Sequence, residues 1–257
     1  SVGKEFYQQG EEIVITGKVS GVDVANAKLE VYIISNGARE VLQAQADSDG
    51  NYTLNFKPAS RQMGHFMVGA CYPGEGLKTE MASFDIYGIR RTSDSWITWN
   101  VTTDEPYTDK IAIFNPCNVP LTNVKAELVS LVNGCQVEFD VLSSIPANSM
   151  GEIAYTVTGN EQTNLIDYER MPLKITTAEG ASLSTTVFYH CKSQKPVLRA
   201  NVSSIHTTVT KGTVRDYSVI LTNTGKEETG VVSVVLPSDQ KWMTSVTPLE
   251  MPSIAGG

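Results

Sequence analysis

The stretch QADSDGNYTLNF, residues 45–56, decides how the first third of the chain is read. Asp47, Asp49 and Asn51 put oxygen donors at alternate positions, as the first half of a calcium loop does. A helix–loop–helix calcium site also needs its glycine sixth and a bidentate carboxylate twelfth. Here Gly50 is fourth and the twelfth position is Pro58. Asp-Gly between two alternating runs is instead a hairpin signal, with the glycine supplying positive φ. The stretch is therefore read as a β-turn, with Tyr52, Leu54 and Phe56 on the core face of the strand beyond it. Asp47, Asp49 and Asn51 are kept as a weak candidate calcium set.

Outward from this corner, period-2 alternation recurs at 12–19, 28–34, 40–44, 51–56, 65–72 and 81–87. Ser20-Gly21, Asn36-Gly37, Asp49-Gly50 and Pro73-Gly74 punctuate the runs. Short strands at this spacing predict a Greek-key sandwich over residues 1–89. A polar stretch from Ile89 to Asp94 reads as a linker, and strands at 96–102, 110–114, 123–131, 136–142, 152–157, 172–177 and 183–190 predict a second sandwich over 93–193. Lys192-Ser193-Gln194-Lys195-Pro196 reads as a second linker.

The third unit, 197–257, repeats the second at an offset of 108 residues. Ile111-Ala112-Ile113-Phe114-Asn115 matches Val219-Ile220-Leu221-Thr222-Asn223; Val124, Leu128 and Ser130 fall on Val232, Leu236 and Ser238. One residue out of step, Ser144-Ile145 returns as Ser253-Ile254. A repeat this long means modules in series rather than a solenoid. The counterpart of the second unit's last strands does not follow, so the expectation is an incomplete third sandwich cut from a longer polypeptide. The predicted fold is thus all-β: tandem immunoglobulin-like Greek-key sandwiches, the last one incomplete.

Composition narrows the functions. A net charge of −8 argues against a duplex nucleic-acid binder, which needs a basic surface. No apolar run approaches the ~20 residues that span a bilayer, and the first residues carry no signal-peptide core, so any such peptide is expected to have been removed or to lie upstream. His65, His190 and His206 are scattered, and no G-x-S-x-G elbow or metalloprotease motif occurs. The carboxylates fall on turns and solvent faces, so no enzyme is expected. Trp96, Trp99 and Trp242 could stack on sugars. Trp96 and Trp99, three apart on one strand, face opposite sides and cannot form one platform, and core or interdomain packing is expected for all three.

The first unit, carrying GEEIVITGKVSG, NAKLEVYI, ADSDGNYTLNF and GHFMVGACYPG, resembles the bacterial immunoglobulin-like (Big) modules of secreted and surface proteins. The second and third, carrying IAIFNPCNVPLTNV and VILTNTGKEETGVVSVVLP, resemble CARDB- and NEW3-type modules with Asn-x-Gly after the second strand. Pro116-Cys117-Asn118 departs from that pattern, whereas Asn223-Thr224-Gly225 keeps it. The resemblance implies a non-catalytic spacer, stalk or adhesion segment of an extracellular, secreted or cell-surface bacterial protein, without a cofactor. Its partners would be other domains of the same chain, with a glycan or host surface protein as the alternative. Traced through such a sandwich, Cys117 faces the first unit while Cys135 and Cys191 both fall at the far end, making Cys135–Cys191 the candidate disulfide; four buried thiols are the other reading.

Overall fold

The computed structural model describes residues 1–21, 24–76, 79–93, 96–160, 169–236, 238 and 245–257. Trp242 lies outside them. Among the described residues every regular element is a strand, and no helix is long and apolar enough to cross a membrane.

In the first module, β1 (Phe6–Tyr7), β2 (Ile13–Lys18), β3 (Lys28–Ser35), β4 (Ala38–Gln45), β5 (Asn51–Phe56), β6 (Gly64–Cys71) and β7 (Ala82–Ile86) form two sheets. One has the order β1-β7-β6-β3-β4; the other is the pair β2-β5. Alternation along each strand sends Ile13, Ile15, Tyr52 and Phe56 from one sheet against Val31, Ile33, Phe66, Phe84 and Ile86 from the other. Phe66 and Phe84 stack with ring centres 5.1 Å apart at the middle of this core. Asn36-Gly37, both at positive φ, closes the β3–β4 hairpin as their backbone preferences demand.

The Asp49-Gly50 corner differs from the hairpin read in the sequence. β4 pairs with β3, while β5 pairs with β2 in the facing sheet. The Ala46 amide extends the first ladder by donating to Ala27 O, and the Val19 amide extends the second by donating to Gly50 O. The turn therefore carries the chain from one sheet to the other. Its chemistry is as read, with Gly50 at φ 81°, but local turn signals do not specify which strand each arm pairs with.

The second module begins earlier than the polar linker suggested. β8 (Arg90–Arg91) pairs with β10 (Tyr107–Phe114), and Ile89 is buried in the second core. The other strands are β9 (Ile97–Thr102), β11 (Leu121–Leu128), β12 (Cys135–Phe139), β13 (Leu142–Ile145), β14 (Met150–Gly159), β15 (Glu169–Thr176) and β16 (Ser182–Lys192). Sheets of order β12-β14-β10-β8 and β13-β11-β15-β16-β9 enclose a core that includes Trp99, Ile113, Leu121, Ile153, Met171 and Val187. The single run expected at 136–142 is two strands in opposite sheets, because β12 follows β14 only to Phe139 and Leu142 then pairs with Val124.

The third unit is built from β17 (Leu198–Ala200), β18 (Leu221–Asn223), β19 (Val232–Ser233) and β20 (Glu250–Met251), paired as β17-β18 and β19-β20.

One close approach in the first core makes a sharp prediction. Gly17 faces Tyr52 across the β2–β5 ladder, and a Cβ there would overlap the Tyr52 ring. The overlap falls on the ring itself, and the adjoining Ile15 and Thr16 are held by backbone pairing with Val2 and Ser1, so the strand cannot shift freely to relieve it. Gly17→Ala is expected to cost about 1–3 kcal/mol in urea denaturation, the usual range for overpacking, with the transition of the first module moving and that of the second unchanged.

Candidate functional site

The most constructed polar features among the described residues lie where one module meets the next. At the first joint, the loop 115–121 of the second module sits against the start of β6 and the end of β7. Its shape comes from Asn115, which is fully buried. The Asn115 Nδ2 group donates to Val119 O (2.8 Å), Ile145 O (3.2 Å) and Pro146 O (3.0 Å), and its Oδ1 accepts from the Cys117 amide (3.0 Å). One carboxamide thus ties the loop to itself and to the end of β13. In an apolar interior those groups need partners, because an unmet buried carbonyl or amide is costly.

The loop so held presents three residues to the first module. The Asn118 amide donates to Asp85 Oδ1 at 2.8 Å. Asp85 is itself buried, and its Oδ2 lies 3.1 Å from His65 Nδ1. Cys117 Sγ lies 3.5 Å from Ile86 O, and burial pushes this thiol up to about 11. Pro116 packs so close to Gly64 that a Cβ there would come within 2.5 Å of Pro116 O. Gly64 also stands at φ 95°, a conformation L side chains rarely adopt.

A second strap crosses the same joint. Gln8 Nε2 donates to Glu179 O at 2.8 Å. The Glu179 carboxylate accepts from the Thr122 amide (2.9 and 3.0 Å) and hydroxyl (2.5 Å). Burial works against its charge, but the hydrogen-bond donors together, Thr122 foremost among them, outweigh burial and hold the carboxyl below its ordinary range.

The second joint repeats the first. Asn223, the counterpart of Asn115, is 2% exposed. Its Nδ2 donates to Glu227 O (2.6 Å) and Ile254 O (3.2 Å), and its Oδ1 accepts from the amides of Gly225 (3.0 Å) and Val197 (2.9 Å). The acceptors Val119 and Ile145 and the donor Cys117 thus recur as Glu227, Ile254 and Gly225. The loop again meets the preceding module: Lys226 N donates to Ser193 O and Glu227 N to Gln194 O. Gly225 has no room for a Cβ beside Lys195 O and Pro196. Lys226 Nζ pairs with Glu105 Oε2 at 2.5 Å, and Gln194 N donates to the buried Thr103 hydroxyl at 2.9 Å.

The candidate residues fall elsewhere. Asp47 Oδ1 accepts from the amides of Asp49 (2.9 Å) and Asn51 (2.8 Å). These backbone bonds, the Asn51 amide foremost, hold Asp47 below the usual carboxylate range. Its oxygens close a turn, and no group of three or more His, Cys, Asp or Glu among the described residues is arranged to hold a metal. Trp99 is fully buried beside Tyr155, whereas Trp96 is 73% exposed, a correction to its expected packing role. Trp96 meets Phe188 edge-on at 4.9 Å, and the Arg170 guanidinium lies over the same Phe188 ring at 5.4 Å. All four cysteines are unbridged; Cys135 and Cys191 lie in one core. A cleft of about 300 Å³ at the first module's far end is lined by Lys18, Leu29, Tyr52, Tyr72 and Met81 among others.

The class defined by these modules is the all-β, immunoglobulin-like sandwich, used in series. No protein-family model and no curated protein matches the sequence. Among solved structures, similarity is found to a protein of unknown function from Porphyromonas gingivalis W83, with 12% identity, TM-score 0.28, and coverage of 74% of this chain and 98% of that one. It extends to the I-band fragment I67–I69 of titin, with 12% identity, TM-score 0.29, and coverage of 76% and 70%. The adhesin InvE of Yersinia pseudotuberculosis gives 13% identity and TM-score 0.29, with coverage of 76% of this chain and 58% of the adhesin.

The Asn115 network predicts a specific loss. Asn115→Ala leaves the Val119, Ile145 and Pro146 carbonyls and the Cys117 amide without their partner, and is expected to cost about 3 kcal/mol in denaturant unfolding of the second module. Asn115→Asp keeps an acceptor for Cys117 but removes the donors, so it should be no milder. A loss below about 1 kcal/mol for both would contradict the role given to this carboxamide.

Proposed function

We propose that the chain is a non-catalytic, load-bearing spacer of immunoglobulin-like modules within a larger extracellular bacterial protein, of the Big, CARDB or NEW3 kind. The observation that carries this reading is the parallel pairing of the last strand of each of the first two modules with a strand near its start. In the second module β9 and β16 run parallel over six register pairs, from Ile97↔Val187 to Thr102↔Lys192. Tension entering at the start of β9 and leaving at the end of β16 pulls these strands past each other. Their ladder hydrogen bonds are then loaded together in shear rather than opened one at a time. The first module has the same arrangement in β1 and β7, with two register pairs.

The third unit supports membership of a longer chain. Val219 and Val209 are both 46% exposed, whereas their counterparts Ile111 and Val101 are 4% and 2% exposed, each in a strand flanked within its sheet, by β14 and by β16, and facing the second core. Further strands of the same polypeptide, pairing alongside and packing opposite these residues as in the second module, would bury them.

Single-molecule stretching between the termini tests the reading. The second module is expected to unfold at a clearly higher force than the first, in proportion to its longer parallel ladder. Equal or inverted forces would count against a load-bearing role.

One observation favours a second reading, glycan or protein binding. Trp96, Phe188 and Arg170 form an exposed aromatic and cationic cluster on the outer face of the β15-β16-β9 sheet, beside Thr98 and Asn100. Binding on a glycan array that Trp96→Ala reduces at least tenfold, with thermal stability unchanged, would support it; no retention by the intact chain would remove it.

A further inference from the structure

Cys135 opens β12 and Cys191 stands next to last in β16, so the two belong to opposite sheets of the second module. At this end the sheets are drawn together. Cys135 is in register with Gly159, and Gly159 is also bridged to Thr103, the residue that follows β9. The Thr103 amide donates to Lys192 O at 2.9 Å, one residue beyond Cys191. The seam from Cys135 to Cys191 thus runs through three backbone pairings, Cys135–Gly159, Gly159–Thr103 and Thr103–Lys192, which places both residues at the same end of the module. Both side chains are buried in the same core, which also holds the buried Tyr189.

We propose that Cys135 and Cys191 form a disulfide that staples the two sheets of the second module at the end facing the third unit. The other cysteines offer no competing partner. Cys117 is sealed against Ile86 at the opposite joint, and Cys71 belongs to β6 of the first module.

The chemistry requires a disulfide-bearing oxidant, such as oxidised glutathione or the disulfide of a thiol oxidoreductase. One cysteine thiolate attacks the oxidant's sulfur, forming a mixed disulfide and releasing one thiol. The second thiolate then attacks the protein sulfur of that mixed disulfide and releases the other thiol. The two protons lost by Cys135 and Cys191 end on the released thiols, so the protein is oxidised by two electrons and the oxidant reduced by two.

Timing follows from burial. Burial pushes the Cys135 thiol up to about 11 and raises Cys191 as well, so little thiolate exists in the folded module at neutral pH. The bridge therefore closes while the chain folds, before the seam is buried. The native dithiol would react slowly.

The bridge would also change how the module yields to force. It closes a loop of about 56 residues that contains β13, β14 and β15. That segment is shielded from tension, so the extension released on unfolding the second module shortens by roughly 20 nm.

The test is to refold the whole chain from denaturant in a mixture of oxidised and reduced glutathione, then alkylate under denaturing conditions. The proposal expects a product lighter by two hydrogens, two alkylated cysteines instead of four, and a proteolytic fragment linking Cys135 to Cys191. Four alkylated cysteines, or a linkage through Cys71 or Cys117, would overturn it. Stretching the refolded chain gives a second readout that needs no substitution. The second module should release roughly 20 nm less length than after reductant, and Cys191→Ser should behave like the reduced chain. Equal lengths with and without reductant would contradict the bridge while leaving the spacer reading to stand on its unfolding forces.

Discussion

A buried carboxamide organises each joint in this chain. Asn115 and Asn223 stand at the ends of equivalent strands, one just after β10 and the other closing β18, in positions that water does not reach. There the side chain replaces backbone partners that a tight loop cannot supply for itself. Asn suits this role because a single planar group both donates and accepts. Leucine would fill the space and leave the carbonyls unmet; aspartate would lack the donors. The loop is fixed from inside, so its outer surface can be specified residue by residue. At the first joint that surface is Pro116-Cys117-Asn118, fitted to Gly64, Ile86 and Asp85. At the second it is Thr224-Gly225-Lys226, fitted to the chain at 193–196.

The two joints use one scaffold with different contacts. Cys117 and Gly225 fill the same place in the repeat, and both are small because a neighbouring backbone presses on them. The first joint adds a buried acid, Asp85, accepting from the next module and facing His65. The second adds the exposed Lys226–Glu105 pair, whose contribution in solvent is small. Geometry at both places is therefore set by backbone approach and buried hydrogen bonds. Surface charge adds little. A parallel pairing between a strand near the start and the last strand is a further feature that the first two modules share.

Much of the fold was legible in the sequence. Period-2 runs located nearly every strand of the first two modules, because each has one face in a core and one in solvent. The offset between Asn115 and Asn223 was also visible, along with the later echo of Ile145 in Ile254. Its meaning was not, since a sequence cannot say that Ile145 O is the atom Asn115 reaches. Strand partners were less legible. The Asp49-Gly50 corner has the chemistry of a hairpin, yet its arms join different sheets, a choice made by distant β2 and β3. Ile89 and the two arginines after it read as linker because the stretch is polar, but a short edge strand tolerates charge on its open side. Alternation set Trp96 opposite Trp99, but it did not show that Trp96, just before β9, is left exposed on the outer face.

The account rests on joints fixed by these loops, and backbone 15N relaxation of the intact chain measures that directly. If the Asn115 loop fixes the first joint, amides of the first and second modules report one shared rotational diffusion tensor on the nanosecond scale. Two separate tensors, with each module tumbling as a body of its own size, would contradict it.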